Sequence, residues 1–242
     1  MCTLEKRGSV YILTLTGNDE HRLNPPLIDS IRAALRRIRS ETTTSSSALI
    51  TTAHGKFFCN GYDLGWAQSD PLRHPQLMSS KLRSLVGDLI SLPMPTIAAV
   101  SGHASAAGLI LALSHDYVLM RKDRGFLYMS EMDIGFKVPA WFVALMRCKV
   151  GSPEAVRDVV LRAEKLGAEA AAKKGIVDLA CGGAAETVEE AVRLGEELVG
   201  RRWNGAVYGR NRETLLAEVV GAMGFDETVE NADGTPKAVS RL

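Results

Sequence analysis

GHASAAGLILALSHD, residues 102–116, decides how this chain is read. The stretch opens on glycine and small residues, runs through Leu109, Ile110, Leu111 and Leu113, and ends on Ser114, His115 and Asp116. Interiors are close-packed, so a helix meant only as core would carry large side chains throughout. Glycine and alanine at its head instead let a ligand or another backbone come close. On either side, PTIAAVSG (95–102) and DYVLMRKD (116–123) are apolar runs bounded by turn residues, and both read as strands.

Further out the pattern repeats. SVYILTLTG (9–17), SSALITTA (46–53), GFLYMSE (125–131) and KGIVDLA (174–180) read as strands. Asn24 before Pro25 is an N-cap and first helical residue, and Leu27, Ile28, Ile31, Leu35 and Ile38 follow at helical spacing. Helical patterns also cover 76–91, 105–113, 153–162 and 185–199. Strands alternating with helices imply an α/β fold with parallel strands and helical crossovers. ETTTSSS (41–47) is a polar connector too short for a domain linker, and no internal repeat appears. The expected organisation is a core over 1–200, a helical region over 201–230 and a tail over 231–242.

Composition excludes several classes. At 242 residues the chain buries a sizeable core without staples. Lys plus Arg number 29 against 28 Asp plus Glu, which leaves no global field for nucleic acid or an anionic membrane. Cys2, Cys59, Cys148 and Cys181 lie far apart without a CxxC pair, the pattern of reduced thiols rather than of disulfides or a metal site. Glu5, Lys6 and Arg7 precede any apolar run, and no window reaches the roughly 18 apolar residues of a membrane span. The expectation is a protein neither exported nor membrane-embedded. Ser240, Arg241 and Leu242 spell SRL, a variant of the SKL peroxisomal address, on the polar segment ENADGTPKAV. An accidental tripeptide is the competing reading.

Two segments place glycine where a strand must turn into a helix: GKFFCNGYDL (55–64) and SGHASAAGLILAL (101–113). Such turns leave backbone N–H groups pointing outward without intrahelical partners. In order and spacing they resemble the two oxyanion loops of the crotonase (enoyl-CoA hydratase/isomerase) superfamily, and the match extends from residue 9 to about residue 178. The resemblance implies repeated ββα units around a mostly parallel sheet, followed by a helical C-terminal region. It also implies an acyl-CoA whose thioester oxygen is held by the N–H groups of Tyr62 and Ala107. Ala107 is often glycine in the family, and alanine keeps the donor. By the same resemblance Lys56, Phe58, Asn60, Gly61, Asp63, Leu64, Gly108, Ile110 and Phe136 surround the substrate.

Family hydratases use two glutamates to position a water. Here the first of those positions falls on Ile110, which moves no proton, and the second on Glu131, followed by Ile134 and Gly135 in the family's Glu-x-x-Ile-Gly pattern. One base suits a proton shuttle. The resemblance therefore points to the delta-3, delta-2-enoyl-CoA isomerase branch, and LISLPMPTIAAVSGHASAAG resembles its plant peroxisomal members. Apolar burial is expected to raise the pKa of Glu131. The implied partners are an acyl-CoA, a peroxisomal import receptor and further copies of the chain in a trimer or hexamer. The resemblance implies no metal and no cofactor besides the CoA carried by the substrate. Three alternatives stand beside this: a hydratase recruiting Asp133, a non-catalytic acyl-CoA binder, and an RNA-binding homologue that the balanced charge disfavours. Blander local readings are also open. Glu131 pairs with a basic residue, Asp63 fixes its loop, His103 bonds a loop carbonyl, His54 and His115 are structural, Trp141 and Phe142 are core, and Lys56 and Arg210 are solvated rather than at CoA phosphates.

Overall fold

The computed structural model describes residues 1–17, 19–42 and 46–224. β1 (Cys2–Arg7) and β2 (Val10–Leu15) form an antiparallel hairpin that turns through Gly8 at φ +58°. The sequence reading passes over β1, whose charged, mostly exposed residues give no buried periodicity; an edge strand needs only one neighbour. α1 (Pro25–Glu41) starts as expected: Asn24 accepts the Leu27 N–H at 3.1 Å, and Leu27, Ile28, Ile31, Leu35 and Ile38 are buried.

A unit of two strands and one or two helices then recurs. β3 (Ala48–Ala53), β4 (Phe57–Cys59), α2 (Leu64–Gln68) and α3 (His74–Ile90) form the first. β5 (Thr96–Val100), β6 (His103–Ser105) and α4 (Ala107–Leu113) form the second. β7 (Tyr117–Arg121), β8 (Leu127–Tyr128), α5 (Glu131–Ile134) and α6 (Ala140–Lys149) form the third. The chain continues through α7 (Pro153–Leu161), α8 (Ala168–Lys173), β9 (Leu179–Cys181), α9 (Ala184–Gly200), α10 (Gly205–Leu215) and α11 (Ala217–Met223). The longer strands build one sheet in the order β1-β2-β3-β5-β7-β9, parallel from β2 onward, and the short ones a second parallel sheet, β4-β6-β8. These are the ββα repeats of a crotonase-type fold.

Both faces of the large sheet are covered, which explains strands apolar almost throughout. Val10, Ile12, Ile50, Ile97, Ala99 and Leu119 pack with Ala191 and Leu198 of α9. Leu13, Leu49, Ala98, Val100, Val118 and Met120 face the larger core shared with α1, α3, α4 and α6.

Several expected boundaries need correction. The strand expected over 174–180 pairs only from Leu179, because Gly175 at φ +69° turns the chain and Ile176 and Val177 drop into the core. The strand expected over 125–131 stops at Tyr128, and Glu131 opens a helix instead. Ser105 ends β6 rather than starting α4. α6 was invisible to periodicity because Trp141, Phe142, Ala144, Leu145 and Met146 bury it on several sides, leaving no clean polar stripe. Among the described residues no helix is long and apolar enough to cross a membrane. Ser240, Arg241 and Leu242 lie outside the described residues.

The last residue of the opening stretch anchors the C-terminal helices. Arg212 of α10 is 4% exposed, yet it donates to the Asp116 carboxylate at 2.6 and 2.5 Å and to the carbonyls of Leu89, Ile90, Leu92 and Met94. Asp116 also accepts the Thr96 N–H at 2.8 Å and the Tyr208 hydroxyl at 3.2 Å.

Candidate active site

The site begins where β3 and β5 end. After β4, the Asn60 N–H donates to the Glu20 carbonyl at 2.9 Å and Gly61 takes φ +73°. Leu23 donates to the Gly61 carbonyl at 2.7 Å and accepts from the Asp63 N–H at 2.9 Å. Tyr62, between them, is the bridge partner of Leu23, so its own N–H points to the other side. Asp63 caps α2, accepting the Trp66 N–H at 3.0 Å and the Asn24 amide at 3.1 Å; it does fix its loop. The Cys59 thiol donates to the His21 carbonyl, and burial pushes it up to about 12, so it is no nucleophile.

The second loop meets the first. Ala106 adopts φ +51°, and its N–H donates to the Tyr128 carbonyl at 2.7 Å. α4 then starts at Ala107, whose N–H lacks an intrahelical acceptor by its position. A Cβ on Gly108 would lie 2.1 Å from the Cys59 carbonyl oxygen, and one on Gly61 would lie 3.1 Å from the Ser105 carbonyl and 3.5 Å from the Ala107 nitrogen. Only glycine fits at Gly108, which answers why small residues head this apolar helix: the first loop's backbone presses against it.

Glu131 opens α5 immediately after β8, whose Tyr128 holds Ala106. Gly135 at φ +72° ends that helix and lets the Phe136 N–H return to the Glu131 carbonyl at 2.8 Å, which is the physical sense of the Glu-x-x-Ile-Gly pattern. The Glu131 side chain is 6% exposed, and its Oε2 has no hydrogen-bond partner among the described residues. Burial raises its pKa to about 7, against only its own backbone N–H. No basic residue pairs with it among the described residues, so the ion-pair reading fails. The Tyr62 phenol is held above its ordinary pKa by burial and then by the Glu131 charge, which places the two side chains within electrostatic reach.

Asp133 is exposed and accepts the Tyr128 hydroxyl, whose pKa rises to about 12 through burial and this bond. Two residues beyond Glu131, it faces outward. α4 offers no acid: it consists of Ala107, Gly108, Leu109, Ile110, Leu111, Ala112 and Leu113, all buried. Phe58 and Ile110 are fully buried, Asn60, Leu64 and Phe136 partly so, and Lys56 is exposed with Nζ 5.5 Å from the Phe57 ring centroid. Trp141 and Phe142 are core, edge to face at 4.4 Å. Arg210 is exposed on α10. His115 is structural, bonded to the Leu111 carbonyl and Thr51, and burial lowers its pKa to about 4. The carbonyl bond expected of His103 is not seen among the described residues: its ring packs on Phe57 and Phe126, and Nδ1 has no partner among those residues. Sequence reasoning also missed the Tyr62 phenol's bond to Ser79 and the anchor Arg212, since neither follows from local pattern. Among the described residues no three His, Cys, Asp or Glu side chains cluster as a metal site requires.

Comparison with known proteins shows the family. Residues 5–206 match the family model described as enoyl-CoA hydratase/isomerase. The chain is 64% identical over 220 residues to enoyl-CoA delta isomerase 1, peroxisomal, of Arabidopsis thaliana, covering 91% of each. It is 50% identical over 235 residues to that plant's enoyl-CoA delta isomerase 2, peroxisomal, covering 95% of this chain and 98% of the other. Its fold superimposes with a TM-score of 0.84 on a probable enoyl-CoA hydratase from Mycobacterium tuberculosis at 20% identity, covering 92% of this chain and 91% of the other. By sequence and by fold, the chain belongs to the enoyl-CoA hydratase/isomerase family.

Proposed function

We propose that this protein is an enoyl-CoA delta isomerase of β-oxidation that moves the double bond of a 3-enoyl-CoA to the trans-2 position, with Glu131 as its one base. The observation that carries this reading is the buried Glu131 carboxyl, whose Oε2 has no hydrogen-bond partner among the described residues, together with a helix α4 that carries Ile110 and no acid. Glu131 takes a proton from carbon 2 of the thioester. Negative charge moves onto the thioester oxygen, where the N–H groups of Tyr62 and Ala107 stabilise it; each such donor contributes about 3 kcal/mol in a dry site. Glu131 then returns the proton to carbon 4. Protons and electrons balance within the substrate, so the reaction draws on no cofactor beyond the CoA already attached. A carboxyl with a pKa of about 7 suits both halves of the shuttle, giving and taking at neutral pH.

Phe58 and Ile110, fully buried, back the loops with apolar side chains and the half-buried Phe136 is the proposed apolar contact, so a water would find few partners, which favours isomerisation over hydration. Asn60, Gly61, Asp63, Leu64 and Gly108 shape the loops, and Lys56 is the candidate contact for CoA phosphate. The relatives named peroxisomal support action in the peroxisome, with Ser240, Arg241 and Leu242 as the proposed receptor contact. A homo-oligomer, trimer or hexamer, is the proposed assembly. The test incubates the protein with 3-hexenoyl-CoA and, separately, with trans-2-hexenoyl-CoA. Conversion of the first and no hydration of the second is the expected result; 3-hydroxyhexanoyl-CoA as the main product overturns it in favour of a hydratase.

A further inference from the structure

From β2 onward the strands of the large sheet run parallel, and the two loops of the candidate site come after the C-terminal ends of β3 and β5. A cavity of about 600 Å³ lies at the other end, lined by residues just before β3 and β5 and by the junction between α9 and α10. We infer that this cavity binds a phosphorylated nucleotide of mononucleotide size, away from Glu131.

Four features point to that ligand. Arg39 and Arg202 both line the cavity, and no Asp or Glu stands among the described residues around it. Both are exposed, Arg39 donates to the Ser91 hydroxyl at 2.9 Å, neither faces a carboxylate in the cavity lining, and guanidinium is suited to phosphate. Ser47 is 3% exposed, lines the same cavity, and its Oγ has no hydrogen-bond partner among the described residues. A buried hydroxyl of that kind is normally satisfied, so a ligand oxygen is its natural partner. The first turn of α10 is presented there too: Asn204 caps the Val207 N–H at 3.1 Å, leaving Gly205 and Ala206 N–H groups without intrahelical acceptors at the positive end of the helix. Finally Trp203, 49% exposed and stacked on Tyr208 at 5.8 Å, offers a flat face beside these donors, as a base requires. Arg202 holds φ +52°, a conformation glycine adopts more easily, so the turn alone gives no reason for arginine.

An adenosine phosphate free in solution and the nucleotide end of a CoA thioester share this chemistry. The test measures binding of AMP, adenosine 3′,5′-bisphosphate and inorganic phosphate by calorimetry, with saturating hexanoyl-CoA present. Saturable binding of a nucleotide is expected, weakened about tenfold or more in Arg202→Gly, the loss of one charge-assisted contact. Ser47→Ala, which removes an unpaired buried group and preserves the fold, should also weaken it. KM for 3-hexenoyl-CoA should not change in either variant. Tighter binding of the bisphosphate assigns the nucleotide end of a second CoA molecule, not that of the substrate held at Glu131; tighter binding of AMP assigns a free nucleotide. Nucleotide binding unaltered in both variants, no binding of any nucleotide, or phosphate bound as tightly as AMP overturns the inference.

Discussion

Glu131 and Arg212 are both ionisable and nearly buried, 6% and 4% exposed, yet the molecule treats them in opposite ways. Arg212 is satisfied by a carboxylate and four carbonyls, so its charge is stable where it stands. Glu131 has an oxygen with no partner among the described residues and a pKa displaced to about 7 by desolvation. A buried charge with complete pairing fixes architecture; one left incomplete is held ready for something the protein does not contain. The contrast is open to experiment through variants in which activity and stability separate.

Glu131→Gln should show the largest effect. Isomerisation should fall by roughly 10²- to 10⁴-fold in kcat, the range typical of a lost general base, measured with 3-hexenoyl-CoA. Stability at pH 8, followed by urea unfolding, should rise, since a neutral amide replaces a desolvated carboxylate. A variant that loses stability along with activity would place Glu131 among the structural groups and dissolve the contrast. Arg212→Met should do the reverse. It strands Asp116 and several carbonyls, and losing one partner of a buried pair costs about 3–5 kcal/mol. The protein that remains folded should keep its kcat, because α10 contributes nothing to the loops around Glu131.

The same contrast has a pH signature. The carboxyl of Glu131 is displaced upward from its ordinary 4.5 to about 7, so the native state binds the extra proton between those values. Stability is then highest below the unfolded pKa and declines as pH rises through about 7, by a total on the order of 3 kcal/mol for this one group. Activity runs the other way, rising through about pH 7 as the base ionises. Denaturant midpoints from pH 5 to 8 should fall in the wild type relative to Glu131→Gln; parallel curves would mean that the carboxyl is not desolvated.

What the sequence made legible follows from whether the cause is local. Asn24 and Pro25 announce α1, because that signal lies within a few residues of its effect, whereas Glu131, Ile134 and Gly135 were legible only as a family pattern and not as the one-turn helix, closed by a left-handed glycine, that they form. The two loops were legible as turns with free N–H groups. Their contact, Gly108 against the Cys59 carbonyl, was not, since nearly fifty residues separate the partners and only the fold brings them together. Arg212 was illegible for the same reason: its anchor to Asp116 spans 96 residues. β1 escaped notice because one hairpin neighbour suffices to hold it, and α6 because burial on several sides hides its period.

Ala106 gives the smallest and most discriminating test. It sits at φ +51°, ψ −124°, a region natural to glycine, and a non-glycine residue in such a region costs on the order of 1–3 kcal/mol. Ala106→Gly removes that strain but adds freedom to the unfolded chain worth about 0.4–1 kcal/mol, so the net gain in stability should be about 1 kcal/mol or less. The effect on kcat is the informative part. Ala106 directly precedes the Ala107 N–H, and it is held from one side by the Tyr128 carbonyl at 2.7 Å. If alanine's restricted backbone aims that N–H, the glycine variant should be slightly more stable and severalfold slower, with KM little changed. A variant equally fast would assign the aim to the Tyr128 bond instead, and the strain at Ala106 would then be a by-product of packing β6 against β8 rather than part of the oxyanion site.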